Sequence, residues 1–161
     1  MSKIFITSDL HLGHAKLAEI RGFRNVKDHD ECIIQNIADV IKNKRYVLWL
    51  LGDIAFGSRN IAQLNQIDCI KKIVLGNHDT YATELYLDVA NRVYGAFAFK
   101  NKYLLTHIPV DISQSNRFLC NFHGHTHSRI LESNWYQNVC LEQNNLKPFE
   151  ISQLIDNIKS K

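Results

Sequence analysis

The sequence is poor in the residues that mark export, membrane insertion and inter-domain linkers. Only two prolines and seven glycines occur among 161 residues, and no linker, repeat or low-complexity segment divides the chain. The longest apolar run, residues 46–51, is too short to cross a bilayer, and the apolar part of the N-terminus is too short for a secretory signal. With 45% hydrophobic residues the chain can bury one ordinary core, so we expect a single cytoplasmic domain over residues 1–161, without a membrane partner.

Cysteine is also scarce, and its spacing excludes a C-x-x-C site. The four cysteines are scattered, and most have apolar neighbours: Cys32, Cys69, Cys120 and Cys140. We expect them to be reduced core residues, as in a cytosolic protein. An excess of one charge is lacking too, because the formal net charge is only +3 and the basic residues are spread along the chain. This balance neither favours nor excludes a nucleic-acid partner.

What the sequence does contain is a set of short apolar runs that each lead into Asp, Asn or His. These runs are residues 4–6, 47–51, 73–75, 103–105 and 118–120. Their continuous, largely β-branched or aromatic composition predicts buried strands of a sheet that is covered on both faces. The polar residues therefore lie at the carboxyl ends of strands.

Apolar residues at steps of three and four predict helices between these strands. The helical patterns predict helices over residues 33–41, 61–67, about 80–90 and 151–158. A capping box at residues 28–31 and an N-cap at Ser58 are predicted to begin the first two helices. Aromatic and β-branched residues at 93–99 and 130–139 predict antiparallel hairpins. The expected fold class is therefore α/β with mixed sheets.

The strand-end residues offer three kinds of metal ligand. They are carboxylates from Asp9 and Asp53, the amide of Asn77, and imidazoles from His11, His107, His125 and His127. Loops at the carboxyl ends of strands converge in α/β sheets, so these side chains should meet. The mixture suits Mn²⁺, Fe, Zn²⁺ or Ni²⁺, and the absence of cysteine argues against a closed structural zinc site. The set is too large for one ion and predicts two divalent metals, about 3.5–4 Å apart, that share a carboxylate.

The same residues form five sequence blocks that occur in a fixed order. They are Asp9-x-His11, Gly52-Asp53, Gly76-Asn77-His78-Asp79, His107 and Gly124-His125-x-His127. In this order they resemble the signature of the calcineurin-like metallophosphoesterases. Asn138-Val139 and Lys147-Pro148 are similar to the small, cap-less bacterial and phage branch of that superfamily. The resemblance implies a sandwich of two mixed β-sheets flanked by helices.

The resemblance also assigns the ligands to two metal positions. It implies that Asp9, His11 and His127 hold the first metal. Asn77, His107 and His125 would hold the second, and Asp53 would bridge the two. His125 and His127 would thus bind different metals, and Gly124 would let the backbone pass close to the site.

His78 is the predicted catalytic residue. It directly follows the ligand Asn77, and two consecutive side chains cannot easily face one metal, so His78 is available to touch substrate. In the family that it resembles, this histidine stabilises the phosphoryl transition state or protonates the leaving oxygen. A further metal ligand or a structural residue is the alternative. Asp79 is expected either to orient His78 or a nearby loop, or to be a surface or N-cap residue before Thr80.

The remaining polar residues near the blocks receive less specific predictions. Asn77, His14 and Arg24 are predicted substrate contacts, with a surface position as the alternative for His14 and Arg24. Arg129 is mainly expected to be a surface residue. The other two histidines outside the blocks are His123, expected to be structural or to orient a ligand imidazole, and His29, expected to be a solvated surface residue.

The predicted chemistry is hydrolysis of a phosphoester. Two cations would generate a hydroxide near neutral pH and bind the phosphoryl oxygens, and this hydroxide would attack phosphorus in line without a covalent enzyme intermediate. The second block, residues 52–57, lacks the Asp-Arg pair of protein serine/threonine phosphatases, which argues against that activity. Because open sites without a monoester-grasping arginine pair favour diesters, we expect a phosphodiesterase for a small or nucleotide-like substrate.

Three other functions stay open at this stage. The first is a phosphomonoesterase or nucleotidase. The second is a nucleic-acid-processing nuclease, for which the +3 charge and the aromatic residues Tyr94, Phe97 and Phe99 would supply a surface, although such residues more often pack a hairpin onto the core. The third is a non-catalytic scaffold, which is least favoured because every ligand position and His78 are filled. The sequence leaves the oligomeric state open.

Overall fold

Two mixed β-sheets share one apolar layer, and helices flank the sheets. The computed structural model describes residues 2–159. In chain order the elements are β1 (Ile4–Thr7), α1 (Ala15–Ile20), α2 (Val26–Val40), β2 (Val47–Leu50), a 3₁₀ helix (Ser58–Gln66), β3 (Ile70–Val74), α3 (Thr83–Leu87), β4 (Arg92–Tyr94), β5 (Phe97–Phe99), β6 (Tyr103–Leu105), a 3₁₀ helix (Ile112–Asn116), β7 (Cys120–His123), β8 (Tyr136–Asn138), a 3₁₀ helix (Leu141–Asn144), β9 (Phe149–Glu150) and α4 (Ile151–Lys159).

Both sheets combine parallel and antiparallel pairs. The first sheet has the order β4-β3-β2-β1-β9, in which β1 to β4 are parallel and β9 is antiparallel to β1. The second sheet has the order β5-β6-β7-β8, in which only β5 is antiparallel to its neighbour. This architecture confirms the predicted α/β sandwich of two mixed sheets flanked by helices.

The strands of the first sheet are buried on both faces, which explains their continuous apolar sequences. Phe5 and Leu48 face an apolar cluster that includes α2 residues such as Ile37. Their chain neighbours Ile6 and Trp49 face the opposite cluster, which contains the second sheet and α4. Alternation of side chains along each strand thus supplies both cores from a single run. Within residues 2–159, no helix combines the length and apolarity needed to cross a membrane.

Several local predictions were wrong about connections and boundaries. Residues 93–99 are not a hairpin, because β4 ends the first sheet and β5 begins the second. Residues 130–139 are not a hairpin either. They contain a single strand, β8, and its partner β7 precedes this range and runs parallel to it. The strand predicted at residues 118–120 begins and ends later in the chain, because β7 covers Cys120–His123.

The helices differ from their predicted form mainly at their ends. Helix α2 begins earlier than predicted, because Asn25 caps it by accepting a hydrogen bond from the Asp28 N–H. The segment after Gly57 is a 3₁₀ helix, and its N-cap is Gly57 rather than Ser58. Helix α3 covers only Thr83–Leu87, whereas α4 lies where the sequence predicted it.

Candidate metal centre

The predicted ligands converge at the carboxyl ends of β1, β2, β3, β6 and β7. Among the described residues they form two groups whose ligand atoms lie within 4.8 Å of one another. The first group is Asp9, His11 and His127, and the second is Asp53, His107 and His125. We call them the Asp9 group and the Asp53 group.

Asp53 belongs to one group and also lies close to the other. Its Oδ2 is 3.4 Å from His107 Nε2 and 3.6 Å from His11 Nε2. Asn77 joins the Asp53 group, because its Oδ1 is 3.0 Å from His107 Nε2. In the Asp9 group, Asp9 Oδ1 is 3.5 Å from His11 Nε2 and 3.7 Å from His127 Nε2. This geometry suits a carboxylate shared between two cations.

Unpartnered polar atoms of the Asp9 group fit a bound cation. Asp9 Oδ1 and both ring nitrogens of His11 are buried without a hydrogen-bond partner among the described residues. Leaving a buried polar atom unpaired costs about 1–3 kcal/mol, and more for a charged group. A divalent cation between Asp9 Oδ1 and His11 Nε2 would satisfy both atoms, so the donor set fits a metal.

The two aspartates are held in the charged form that binds metal. Burial opposes ionisation of Asp9, but His11, the charge of His107 and the hydrogen bonds from Ser8 and His125 outweigh it, so its pKa is lowered. Burial likewise opposes ionisation of Asp53, and His107 with the His78 N–H lowers its pKa. The carboxylates in turn raise the pKa of His107 against the effect of its burial. A metal therefore competes with a proton at His107.

The backbone at most of the predicted ligands is left-handed. Positive φ angles occur at Asp9 (59°), His11 (52°), Asp53 (51°), His125 (68°) and His127 (50°). Few non-glycine residues adopt this conformation, which costs roughly 1–2 kcal/mol per residue. Such strain concentrates at functional sites. The main chain therefore contributes to the direction in which these side chains point.

Gly124 lies against the Asp9 group, as predicted for a close approach of the backbone. A Cβ atom at this position would lie 2.5 Å from both Asp9 Oδ2 and Ser8 Oγ. The next residue, His125, donates its backbone N–H to Asp9 Oδ2 at 2.8 Å. Any side chain at Gly124 would push the segment after β7 away from Asp9.

Asp79 joins the loops after β2 and β3. Its buried carboxylate accepts the backbone N–H groups of Asp53, Ile54 and Gly76 at 2.8–2.9 Å. Burial raises its pKa, although these hydrogen bonds oppose that shift. Of the roles considered for Asp79, loop orientation agrees with these contacts, whereas the N-cap of α3 is Ala82.

His78 is exposed beside the metal groups, and its backbone N–H donates to Asp53 Oδ1 at 3.0 Å. Its ring centroid is 6.1 Å from that of His11 and 5.1 Å from that of Phe56. The ring of His14 also packs against Phe56, with 4.1 Å between the two ring centroids. His78 and His14 therefore flank one aromatic ring at the mouth of the site.

The remaining polar residues near the blocks have other contacts or are exposed. His14 Nδ1 accepts the Leu17 N–H and caps α1, and burial lowers the pKa of this histidine. Arg24 is exposed between α1 and α2, and Arg129 is exposed after His127. His123 is buried, and its Nδ1 donates to the Gly124 carbonyl at 2.8 Å.

The prediction for His29 was wrong, because this residue is fully buried. Its Nδ1 lies 2.8 Å from Asp30 Oδ1, and its Nε2 lies 3.0 Å from Arg21 Nη1. The charged residues beside it in the sequence suggested a surface position. One of those charges, Asp30, is instead a buried partner of His29, and Arg21 from the end of α1 is the other. Their mutual contacts offset the penalty for burying charged groups.

Sequence reasoning also missed Arg21, Phe56 and Glu142. Glu142 Oε1 accepts from His127 Nδ1 at 2.9 Å and from Arg21 Nη2 at 2.7 Å. Phe56 lies three residues after Asp53, so its proximity to the site could have been inferred from position. No local pattern distinguishes Arg21 or Glu142, because both act through contacts distant in the chain.

Two mixed sheets with Asp, Asn and His side chains gathered at the strand ends fit a metal-dependent phosphoesterase. The chain belongs to the calcineurin-like phosphoesterase family, whose model matches residues 2–157. This membership supports a hydrolase that acts on phosphoesters.

Relatives of the chain occur among phage and bacterial proteins. The gene 66 protein of Mycobacterium phage D29 is 34% identical over 167 residues, which cover 83% of this chain and 82% of the relative. The solved structure of protein AQ665 from Aquifex aeolicus has a TM-score of 0.77 at 21% identity and covers 97% of this chain and 99% of its own. Nuclease MPE of Pseudomonas putida shares the fold with a TM-score of 0.51 at 16% identity over 77% of this chain and 60% of its own.

Proposed function

We propose that the protein is a dinuclear metal-dependent phosphodiesterase for a small or nucleotide-like phosphoester. The observation that carries this proposal is the position of Asp53 between two ligand groups, with Oδ2 within 3.6 Å of an imidazole on either side. One shared carboxylate is the arrangement expected of two cations that act together. Mn²⁺ is the favoured metal, with Fe, Zn²⁺ or Ni²⁺ as alternatives.

The metal ligands in this proposal divide into two sets. Asp9, His11 and His127 bind one cation, and Asn77, His107 and His125 bind the other, with Asp53 shared. When bound, the cations supply a lowered pKa for water and positive charge opposite the phosphoryl oxygens. The buried, ionised aspartates keep that charge in place.

His78 is the proposed catalytic residue. Its backbone is held by Asp53 Oδ1, and its exposed side chain lies beyond His11 at the mouth of the site. From there the imidazole faces the charge that develops on the phosphoryl group or donates a proton to the leaving oxygen. Asn77, His14 and Arg24 are the proposed contacts to the substrate.

A cleft beside the Asp53 group supports a substrate with an organic substituent on phosphorus. Its volume is about 440 Å³, and it is bounded by Asn77 and His107 together with apolar residues such as Ala96, Ile108 and Val110. Monoesters and diesters both carry such a substituent, so the cleft supports a phosphoester without distinguishing the two. The reason to favour a diester is the lack of a monoester-grasping arginine pair in the sequence blocks.

The test is hydrolysis of bis-p-nitrophenyl phosphate beside p-nitrophenyl phosphate by Mn²⁺-loaded protein, with Asp53→Ala as the blank. We expect faster turnover of the diester and no turnover of either ester in the variant. A preference for the monoester would instead favour a phosphomonoesterase or nucleotidase. Salt-sensitive cleavage of single-stranded DNA or RNA, with little action on the small esters, would favour a nuclease. Inactivity together with less than one equivalent of metal would favour a scaffold.

A further inference from the structure

A continuous chain of hydrogen bonds, buried at one end and half-buried at the other, joins helix α2 to the Asp9 group. Its members are, in order, Asp30, His29, Arg21, Glu142 and His127. Neighbouring members touch through polar atoms at 2.7–3.0 Å, which are ordinary hydrogen-bond distances. The chain ends at a predicted metal ligand, so its geometry bears on metal binding.

Arg21 is the centre of this chain. Its side chain is 3% exposed, and its Nε and Nη2 both donate to Glu142 Oε1, at 3.0 and 2.7 Å. The same guanidinium donates to the backbone oxygens of Asp9 at 2.7 Å and Leu10 at 3.1 Å. One residue therefore ties the strand-end loop that carries Asp9 to the carboxylate that contacts His127.

The direction of each hydrogen bond follows from Arg21, because a guanidinium only donates. His29 Nε2 must therefore accept from Arg21, and the proton of this imidazole lies on Nδ1, which donates to Asp30. Asp30 also accepts the backbone N–H of Gly13, at 3.1 and 2.8 Å to its two oxygens. The far end of the chain thus holds the loop that follows His11.

At the other end the same reasoning fixes the tautomer of His127. An ionised carboxylate only accepts, so His127 Nδ1 carries the proton that is donated to Glu142 Oε1 at 2.9 Å. In the neutral ring the lone pair of Nε2 is then free, and Nε2 lies 3.7 Å from Asp9 Oδ1. A ring nitrogen held in this way is both correctly protonated and correctly aimed for a metal.

The two metal groups differ in how their imidazoles are held. His107 of the Asp53 group contacts the backbone carbonyl of Leu51 through Nδ1 at 2.7 Å. His127 depends instead on a side chain, Glu142, which a substitution can remove. A substitution at Glu142 can therefore alter the Asp9 group while the backbone contact of His107 stays in place.

We propose that Glu142, held by Arg21, is a positioning residue that fixes His127 for the metal of the Asp9 group and leaves the metal of the Asp53 group unaffected. This inference rests on the dinuclear site of the proposed function. A purely structural ion pair is the competing role, because loss of Glu142 also leaves the buried Arg21 without its carboxylate. Both roles lower stability, but only positioning weakens one metal position selectively.

Three variants separate these roles. Glu142→Ala removes the acceptor, and Glu142→Gln keeps an acceptor oxygen without its charge. Glu150→Gln is the matched control, because Glu150 is similarly exposed and also pairs with a cation, Lys3, at 2.8 Å, but lies on the edge strand β9 of the first sheet. Thermal unfolding in EDTA reports the structural cost of each change in the absence of metal.

The experiment is calorimetric titration of the metal-free proteins with Mn²⁺, with electron paramagnetic resonance to detect coupling between two bound ions. The wild type and Glu150→Gln are expected to bind two equivalents and to show the coupled spectrum. Glu142→Ala is expected to bind one equivalent with unchanged affinity and the second about 10–100-fold more weakly. Glu142→Gln is expected to show the same selective loss at the lower end of this range.

Each departure from these results has a distinct meaning. If Glu142→Ala binds both equivalents as the wild type does, even with a lower melting temperature, Glu142 is a structural residue and the inference fails alone. A wild type that binds only one equivalent overturns the dinuclear site, and the inference with it. If Glu142→Ala lacks a cooperative unfolding transition, Glu142→Gln decides: wild-type affinity at both positions in that variant overturns the proposal.

Discussion

Asp79 Oδ2 accepts the backbone N–H of Asp53 at 2.8 Å, although the two residues are 26 positions apart in the sequence. The same oxygen accepts the N–H of Gly76 at 2.8 Å, so one carboxylate joins two loops that carry predicted ligands. Tyr86 contributes its hydroxyl to the other oxygen at 3.3 Å. The relative position of Asp53 and Asn77 thus depends on a residue that need not touch a metal.

Replacing Asp79 by alanine should therefore destabilise the metal-free protein. The change leaves several buried N–H groups unpaired, each at about 1–3 kcal/mol, so we expect a loss of about 3 kcal/mol or more. Urea unfolding in EDTA measures it. Asp156→Ala, at an exposed position of α4, is the control and should stay within about 0.5 kcal/mol of the wild type. Similar losses in the two variants would contradict this role of Asp79.

Gly124→Ala should weaken metal binding at the Asp9 group. The added Cβ would lie 2.5 Å from Asp9 Oδ2, so the segment that carries His125 and His127 must shift. Mn²⁺ titration should show reduced affinity, and the melting temperature should fall. Gly95→Ala is the matched control for stability, because its Cβ would meet nothing within 4 Å and its φ is not positive. An unchanged Mn²⁺ affinity in Gly124→Ala would show that the loop adapts.

Backbone strain at His11 can be measured by a pair of substitutions. Because φ is 52° at this residue, glycine should be more stable than alanine there by about 1 kcal/mol in EDTA. His107 has no positive φ, so alanine should be the more stable residue at that position. Chemical denaturation of the four variants measures both differences. If glycine and alanine rank in the same order of stability at both positions, backbone strain is excluded as the cause.

His78→Ala should separate catalysis from metal binding. A positioned acid or charge-stabilising group contributes about 10²–10⁴-fold to rate, so kcat on the preferred ester should fall by this factor. The variant should still bind as much Mn²⁺ as the wild type, because its side chain is not among the ligand groups. Loss of a metal equivalent in His78→Ala would instead identify it as a ligand.

The contribution of Asp30 to stability should depend on pH. Burial opposes ionisation of Asp30, but hydrogen bonds from His29, Gln63 and Gly13 outweigh it, so its folded pKa is lowered. A lowered pKa stabilises the fold above the unfolded pKa of about 3.9, and this contribution is lost as pH falls through the folded value. The difference in the free energy of unfolding between the wild type and Asp30→Asn should thus be largest near pH 7 and should decrease below about pH 4. A difference that stays constant from pH 7 to pH 3 would exclude ionisation as its origin.

Most of the strands, and the convergence of the polar residues at their ends, could be predicted because both depend on local sequence. A buried strand reads as an apolar run, and its first polar residues lie at the edge of the sheet, as with Asp9 and Asp53. The partners of Arg21 could not be predicted in this way. Glu142 lies 121 residues away in the chain, and only the folded structure makes them neighbours. The prediction for His29 was wrong for the same reason. Charged neighbours in the sequence are compatible with a solvated surface position and with a buried network of ion pairs.

The left-handed residues of the metal centre also bear on the balance between stability and metal binding. At Asp9, His11, Asp53, His125 and His127 the backbone conformation alone would favour glycine, yet none of the chain's seven glycines occupies these positions. A replacement by glycine at any of them would relieve backbone strain and at the same time remove a predicted ligand. The backbone and the predicted metals therefore place opposite demands on the same residues.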